Sequence, residues 1–147
     1  MSKYQVKRYH DISCGHRVVG HEGKCRFLHG HNYRVHFVCE AENNELDGLG
    51  RVIDFGVVKS KLCMWLEDNW DHKFLAWDKD SLINEIDSLE RTNLNESFVF
   101  VPFNPTAENM AEYLVNVIAP MQLLDTGIIV TSVTIDETRK CSVTYGE

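Results

Sequence analysis

Two stretches near the beginning of the chain alternate apolar and polar residues with a period of two, which predicts half-buried β-strands. In residues 4–14 the apolar side chains occupy even positions, and the same face continues to His16. In residues 33–41 the apolar side chains occupy odd positions. Residues 15–28 lie between these stretches and hold glycines and histidines without periodicity, so we expect a loop there.

A third stretch carries apolar residues at helical spacing. Asp54 can cap a helix that begins near Phe55, and residues 69–72 are expected to end it. The segment that follows is less regular. It contains a candidate short helix over residues 79–90 and, over residues 98–103, a candidate short strand or extended arm.

A second long helix is predicted to begin at Pro105 and Thr106, because proline suits the first turn of a helix and threonine can cap it. Pro120 is expected to help end this helix. Residues 128–137 give the clearest strand pattern of the chain, and residues 141–145 form a partner strand after a turn. The order of two strands, helices and two strands predicts an α+β fold, with the helices on one face of an antiparallel sheet.

The 147 residues favour a single domain that spans positions 1–147, and the 44% of apolar residues can fill a core. The net charge of −7 argues against nonspecific binding to nucleic acid, whose phosphates attract basic surfaces. The first residues lack the apolar segment of a secretory signal, and no apolar run is long enough to span a bilayer. We therefore expect a cytoplasmic protein with neither a nucleic-acid nor a membrane partner.

Five cysteines, an odd number without a C-x-x-C pair, argue against a disulfide framework and for reduced thiols. Four have apolar neighbours and are expected to be small core residues: Cys14, Cys39, Cys63 and Cys141. Cys25 differs because Lys24 and Arg26 flank it, and neighbouring positive charges favour the thiolate form. The alternative for Cys25 is a buried, inert thiol, but its polar surroundings favour a reactive one.

The histidines His29 and His31 lie two positions apart, so on a strand both imidazoles point to the same side and can reach one ion. His16 joins them if the first two strands pair as a hairpin. Three histidines leave one position of a tetrahedral zinc ion open, which is typical of a catalytic site. A His-x-His pair could also arise by chance among seven histidines, and three of them are interpreted as ordinary surface residues: His10, His21 and His36.

Two further motifs carry candidate chemistry. Asp71 and His72 follow the first helix, and an adjacent carboxylate of this kind can orient or charge an imidazole, although such pairs are also common at helix ends. Glu137 ends an apolar strand face. Its carboxylate lies either at the sheet rim in water or in a pocket that recognises paired N–H groups, and the periodicity does not choose between these alternatives.

The segment from Cys25 to Tyr33 resembles the C-x-x-x-H-G-H signature of the 6-carboxytetrahydropterin synthases, which are close relatives of the 6-pyruvoyl-tetrahydropterin synthases. Four further blocks resemble family blocks in the same order: Val52–Phe55, Asp71-His72, Pro105–Asn109 and Asp136–Thr138. The resemblance covers nearly the whole chain. Its most specific part is the H-G-H block with the upstream cysteine and histidine.

The resemblance implies the tunnelling fold (T-fold), a four-stranded antiparallel sheet with two main helices packed on one face. It also implies a homo-oligomer in which three sheets join into a barrel and two trimers commonly stack into a hexamer. Active sites in such an assembly lie at the interfaces between subunits.

The resemblance also implies roles for the candidate residues. A Zn²⁺ ion would be held by three ligands: His16, His29 and His31. Cys25 would be the general base, and Asp71 with His72 would relay protons. In one arrangement, this pair reaches into the active site from a neighbouring subunit.

For the substrate, the resemblance implies that Glu137 anchors the pterin ring through its amino and ring N–H groups, with Thr106 and Glu108 nearby. The resemblance does not fix the residues that bind the triphosphate. Our own candidates for that role are Lys24, Arg26 and His21.

The spacing bears on the reaction, because the carboxy-forming branch has three residues between the cysteine and H-G-H, and the pyruvoyl-forming branch usually has five. This chain has three, residues 26–28. The resemblance therefore implies a carbon–carbon lyase that converts 7,8-dihydroneopterin triphosphate to 6-carboxy-5,6,7,8-tetrahydropterin, releasing acetaldehyde and triphosphate, on the way to queuosine. The alternatives are the pyruvoyl product or a zinc-stabilised pterin-binding module without turnover. This chain departs from many relatives at two places: it has Lys73 where they carry a second histidine, and its segment 74–104 is longer. Both differences are expected to affect the rim of the pocket.

Overall fold

Six strands lie within residues 2–89 and 96–147, the part of the chain that this computed structural model describes: β1 Val6–His16, β2 His29–Ala41, β3 Phe74–Trp77, β4 Phe98–Val101, β5 Ile128–Asp136 and β6 Ser142–Gly146. They form one mixed sheet in the order β4-β3-β1-β2-β5-β6. Neighbours among β1, β2, β5 and β6 are antiparallel, as predicted. The two short strands β3 and β4 extend this sheet in parallel beyond β1.

The hairpin of β1 and β2 is longer than the alternation predicts. β1 continues to His16, so the predicted loop over residues 15–28 begins two residues too early, and β2 begins at His29, four residues before the predicted strand. Gly15 lies opposite Gly30 across the hairpin. A Cβ at Gly15 would come within 2.8 Å of the Phe74 ring, so the bare backbone leaves room for β3. The glycines that interrupt the pattern therefore belong to the sheet.

Helix α1 begins after Asp54, whose side chain accepts a hydrogen bond from the backbone N–H of Gly56. It consists of three consecutive segments: Phe55–Val58, the π-helical stretch Lys59–Cys63, and Met64–Asn69. The predicted start and end of this helix are confirmed.

Two further helices follow. Helix α2, Ser81–Asp87, lies within the predicted range 79–90, of which position 90 is outside the described residues. Helix α3 consists of Ala107–Tyr113, the π-helical Leu114–Ile118, and Ala119–Gln122. Pro120 therefore does not end α3, and that prediction is wrong. The wider π turn shifts the local hydrogen bonds, so a residue without an N–H group fits there.

The helices α1 and α3 pack on one face of the sheet, over the apolar side chains of β1, β2 and β5. The opposite face is polar and carries cross-strand ion pairs such as Arg34 with Asp11 and His36 with Asp136. Three of the four cysteines predicted in the core are buried there: Cys14, Cys39 and Cys63. The prediction for Cys141 is wrong, because this residue follows the turn after β5 and is exposed. Among the described residues, no helix is both long and apolar enough to cross a membrane.

The segment between β3 and α3 is tied to the hairpin by one buried carboxylate. Asp80 is 1% exposed and caps α2 by accepting hydrogen bonds from the backbone N–H groups of Leu82 and Ile83. Its two oxygens also accept from the Arg17 guanidinium at 2.6 and 2.7 Å. The bond from Arg17 is the main cause that lowers the pKa of Asp80.

Replacing Asp80→Asn isolates the charge, because asparagine caps a helix as well as aspartate does. We expect the free energy of unfolding to fall by about 2 kcal/mol, as for a lost hydrogen bond between charged groups. Because the folded-state pKa of Asp80 is lowered, this contribution is present above the unfolded pKa of about 3.9 and is lost as the pH falls through the folded value. Denaturant titrations of both proteins from neutral pH to about pH 3 measure the difference.

The matched control is Asp78→Asn, an exposed carboxylate on the same connection. A loss of stability as large in Asp78→Asn as in Asp80→Asn, or a gap that does not narrow in acid, would contradict this account of Asp80.

Candidate metal centre and active site

The ends of β1 and β2 bring the three predicted histidines together. His16 lies directly opposite His29 in the hairpin register, and His31 follows two positions later on the same face. One nitrogen from each of the three rings lies within 4.8 Å of the others. His16 is 2% exposed, and the other two rings are half-buried. The spacing of the histidines along the two strands therefore brings the three rings into one compact cluster.

Backbone carbonyl groups orient two of the rings. The Nδ1–H of His16 donates to the carbonyl oxygen of Pro105 at 2.6 Å, and the Nδ1–H of His29 donates to that of Phe27 at 2.8 Å. These bonds fix the tautomers and leave each Nε2 with a free lone pair. The two Nε2 atoms lie 3.1 Å apart. Both rings therefore direct a ligand atom toward the same point.

The third ring supplies a buried nitrogen without a hydrogen bond. His31 Nε2 has no hydrogen-bond partner among the described residues, although a Glu137 oxygen lies 3.3 Å away, out of line for a bond. Burial lowers the pKa of His16 to about 4 and also lowers that of His31, so these rings favour the neutral form that binds metals. Three imidazoles with converging nitrogens fit a divalent transition metal such as zinc.

Tyr33 adds a hydroxyl group that the sequence interpretation missed. Its Oη lies 3.2 Å from His16 Nε2, and the side chain is 1% exposed. Burial is the main cause that raises the pKa of Tyr33, and the nearby carboxylate of Glu137 adds to it. The hydroxyl therefore stays protonated at neutral pH. The sequence does contain a signal for this residue, because Tyr33 follows His29 and His31 at the same spacing of two and therefore lies on the same face of the strand.

Glu137 lies at the cluster. It follows the last residue of β5, and its Oε1 is 3.3 Å from His31 Nε2. Its backbone N–H donates to the carbonyl oxygen of Cys141, which holds the turn between β5 and β6. The Glu137 side chain is half-buried beside the histidine cluster, and its recognition of paired N–H groups stays a prediction.

Asp71 and His72 form a hydrogen-bonded pair after the end of α1. His72 Nδ1–H donates to Asp71 Oδ2 at 2.7 Å, and the Ser13 N–H donates to Oδ1 at 2.8 Å. Burial raises the pKa of Asp71, but the bonds from Ser13 and His72 outweigh this, and the net pKa is lowered. Asp71 is therefore a charged acceptor that holds the Nδ1–H tautomer of His72.

The backbone of His72 adopts a conformation that side chains rarely take, with φ of 62°. Its N–H donates to the Ser13 carbonyl oxygen at 2.6 Å, which holds the residue beside β1. The imidazole is 81% exposed and lines a hollow of about 470 Å³ together with His31 and Asn32. Strain of this kind is common at functional sites, where surrounding bonds fix it.

Cys25 lies in a short 3₁₀ turn, Lys24–Arg26, within the loop that joins the two ligand strands. Its side chain is half-buried, unlike those of the three core cysteines. The Val18 N–H donates to the Cys25 carbonyl oxygen at 2.7 Å.

Two of the three residues predicted to bind the triphosphate make hydrogen bonds within their own loop. The Arg26 guanidinium donates to the Gly23 carbonyl oxygen at 2.8 Å and lies over the Phe27 ring, and His21 Nδ1 accepts from the Gly23 N–H. Lys24 is exposed. Their contacts with substrate stay predictions.

The remaining candidates have structural partners. The Thr106 hydroxyl caps α3 by accepting from the Asn109 N–H, and Glu108 is exposed in the first turn of that helix. Their proximity to a pterin stays a prediction. His36 pairs with Asp136, as stated above. His10 is half-buried against Glu67 at 3.1 Å, so it is less exposed than the sequence predicted.

Comparison with known proteins relates this geometry to named relatives. A 6-carboxy-5,6,7,8-tetrahydropterin synthase of Rickettsia typhi is 38% identical over 133 residues, which are 90% of this chain and 93% of that protein. A protein of the same name from Haemophilus influenzae is 29% identical over 114 residues, which are 77% of this chain and 80% of the relative.

Solved structures share the fold. An uncharacterized protein from Wolinella succinogenes superimposes with a TM-score of 0.83 at 26% identity and covers 97% of each chain. The 6-pyruvoyl tetrahydropterin synthase of Caenorhabditis elegans gives a TM-score of 0.68 at 24% identity over 100% of this chain and 97% of that one. The predicted T-fold is confirmed, with β3 and β4 as additional strands. Because residues 5–147 match the family described as 6-pyruvoyl tetrahydropterin synthase, this chain belongs to that family.

Proposed function

We propose that this protein is a zinc-dependent carbon–carbon lyase that converts 7,8-dihydroneopterin triphosphate and one water molecule to 6-carboxy-5,6,7,8-tetrahydropterin, with release of acetaldehyde and triphosphate. The observation that carries the proposal is the convergence of three histidine nitrogens, with Glu137 3.3 Å from one of them. His72 lines the same hollow as His31, and Cys25 lies in the loop that joins the two ligand strands. Relatives that are 35–38% identical over 90% of the chain are named 6-carboxy-5,6,7,8-tetrahydropterin synthase, and this supports the choice of reaction. The product is a precursor of queuosine and related 7-deazaguanines in this proposal.

The metal ligands would be His16, His29 and His31, whose ring orientations are held by carbonyl groups and by burial. When bound there, zinc supplies a Lewis acid for the side-chain hydroxyl oxygens of the substrate, which makes the neighbouring C–H groups more acidic.

Glu137 anchors the pterin in this proposal. A carboxylate accepts two parallel N–H groups, such as the amino group and the ring N–H of a pterin. Its position 3.3 Å from His31 would hold the ring beside the metal ligands, so that the side chain of the substrate extends over the cluster.

Proton transfer falls to Cys25 and His72. The Cys25 thiolate removes a proton from the activated carbon, and the His72 Nε2, left free by the bond from Nδ1–H to Asp71, accepts or returns protons. General acid–base catalysis of this kind contributes about 10²–10⁴-fold to a rate. Exposure of the His72 ring at the mouth of the hollow suits exchange with substrate or water.

The active form would be a trimer or a hexamer. Among residues 2–89 and 96–147, the outer strands β4 and β6 each have one neighbour in the sheet, so their other edges can pair with another copy of the chain. Joining three such sheets would close a barrel and remove exposed edges. We also place the enzyme in a reducing cytoplasm, since the proposed base must remain a free thiol.

Sedimentation of the purified protein tests the assembly. We expect a single species at three or six times the chain mass of 17.0 kDa. A stable monomer that retains full turnover would contradict the proposal that the sheet edges join.

The decisive assay is incubation with 7,8-dihydroneopterin triphosphate and mass analysis of every product. We expect one acetaldehyde and one triphosphate for each 6-carboxy-5,6,7,8-tetrahydropterin formed. A product that retains its three-carbon side chain would instead identify the pyruvoyl reaction, and binding without turnover would identify a pterin-binding module.

The Cys25→Ala variant serves as the mechanistic comparison. It should keep its zinc and lose at least about 10²-fold in turnover, because a general base is removed. The exposed thiol offers a matched control, Cys141→Ala, which should retain activity. Loss of zinc together with Cys25 would make this residue a ligand and refute its role as the base.

The His29→Ala variant tests the metal site. We expect zinc to fall from about one ion per chain to below about a tenth of that, because two imidazoles hold the ion poorly. The sheet should persist, so far-ultraviolet circular dichroism should be unchanged while elemental analysis reports the loss. The control His36→Ala removes a histidine on the opposite face of the sheet and should keep the ion. Full zinc occupancy in His29→Ala would refute the assignment of the three ligands.

A further inference from the structure

The side chain of Asn104 joins two distant segments through a pair of hydrogen bonds. The Val19 N–H donates to Asn104 Oδ1 at 3.0 Å, and Asn104 Nδ2 donates to the Val19 carbonyl oxygen at 2.9 Å. The carboxamide therefore satisfies both backbone groups of Val19, as a neighbouring strand would. Val19 has no other hydrogen-bond partner among the described residues.

Val19 belongs to the segment that holds Cys25. The adjacent Val18 donates its N–H to the Cys25 carbonyl oxygen at 2.7 Å. On the other side of this segment lies His16, whose Nδ1–H donates to the carbonyl oxygen of Pro105, the residue after Asn104. The dipeptide 104–105 thus contacts both the proposed ligand and the segment that carries the proposed base.

Asn104 is itself held in place. Its carbonyl oxygen accepts from the Thr106 N–H at 2.7 Å and from Asn109 Nδ2 at 2.9 Å, so its backbone is fixed to the beginning of α3. The cap of that helix is Thr106. The carboxamide of Asn104 is therefore not needed to start α3, and its two bonds serve the loop alone.

We propose that Asn104 is a positioning residue for Cys25. It acts through Val19 and Val18, and it keeps the loop in the conformation that holds the thiol beside the histidine cluster. This inference rests on the proposed function for the role of Cys25 as a base. Without the carboxamide, the backbone groups of Val19 turn to water and the turn at residues 24–26 loses its fixed support.

The five cysteines provide a direct readout, because site-resolved mass spectrometry measures the rate at which each thiol reacts with iodoacetamide. In the metal-loaded Asn104→Ala protein we expect alkylation of Cys25 to accelerate about fivefold as the loop opens more often. The exposed Cys141 should react at an unchanged rate and reports on the reagent. Three thiols should stay protected and report on global unfolding: Cys14, Cys39 and Cys63.

Steady-state kinetics give the second readout. We expect kcat to fall about tenfold with KM within about twofold of the original value, because the base is misplaced while the pterin anchor is untouched. The matched control is Asn116→Ala on α3, the helix that follows Asn104, where an exposed asparagine donates to the Tyr145 hydroxyl. It should leave both the alkylation of Cys25 and kcat unchanged.

Two results would overturn the inference. One is alkylation of Cys25 at the same rate in Asn104→Ala and in the control. The other is faster reaction of the three buried thiols in parallel with Cys25, which would show that Asn104 supports the whole fold.

If Asn104→Ala does not fold, Asn104→Asp keeps the acceptor for the Val19 N–H and removes the donor to its carbonyl oxygen, and the same predictions apply. Absence of product from the unsubstituted protein would refute the proposed function, whereas the alkylation rates would still decide whether Asn104 holds the loop.

Discussion

The antiparallel register of β1 and β2 is the constraint on which the rest of the site depends. It sets His16 against His29 and Gly15 against Gly30, so the cluster and the gap that admits Phe74 arise from the same pairing. A shift by one residue would turn every side chain of one strand to the other face. The apolar odd positions of β2 oppose such a shift, because they would leave the core. Burial energy along the strands therefore fixes the geometry of the histidines.

Local periodicity predicted much of this arrangement. The strand faces, the start of α1 at Asp54 and the convergence of the three histidines follow from spacing, because each depends on residues close together in the chain or on one hairpin. The short strands β3 and β4 could be placed less well, since four apolar residues do not distinguish a strand from a helix. The helical stretch that runs past Pro120 was missed because a π turn leaves no clear mark in the sequence.

The side chains that support the site were harder to foresee. Asn104 binds Val19 across 85 positions, and Tyr33 reaches His16 only after the strands have paired. Such contacts are fixed by tertiary structure, so they leave no periodic signal. Glu137 was undecided for the same reason, because its surroundings come from β2. The ligands can thus be found from spacing, whereas the groups that orient them require the folded chain.

Both long helices contain a π turn near the middle, at Lys59–Cys63 in α1 and at Leu114–Ile118 in α3. A π turn accommodates one residue more than an α-helical turn, and one extra residue rotates everything after it by about 100°. In α1 the rotated part leads directly to Asp71 and His72. A relative that lacked this single residue would therefore present a different side of the helix end to the hollow. In a sequence alignment, a one-residue gap inside this helix would then mark a change in the active site rather than an error of alignment.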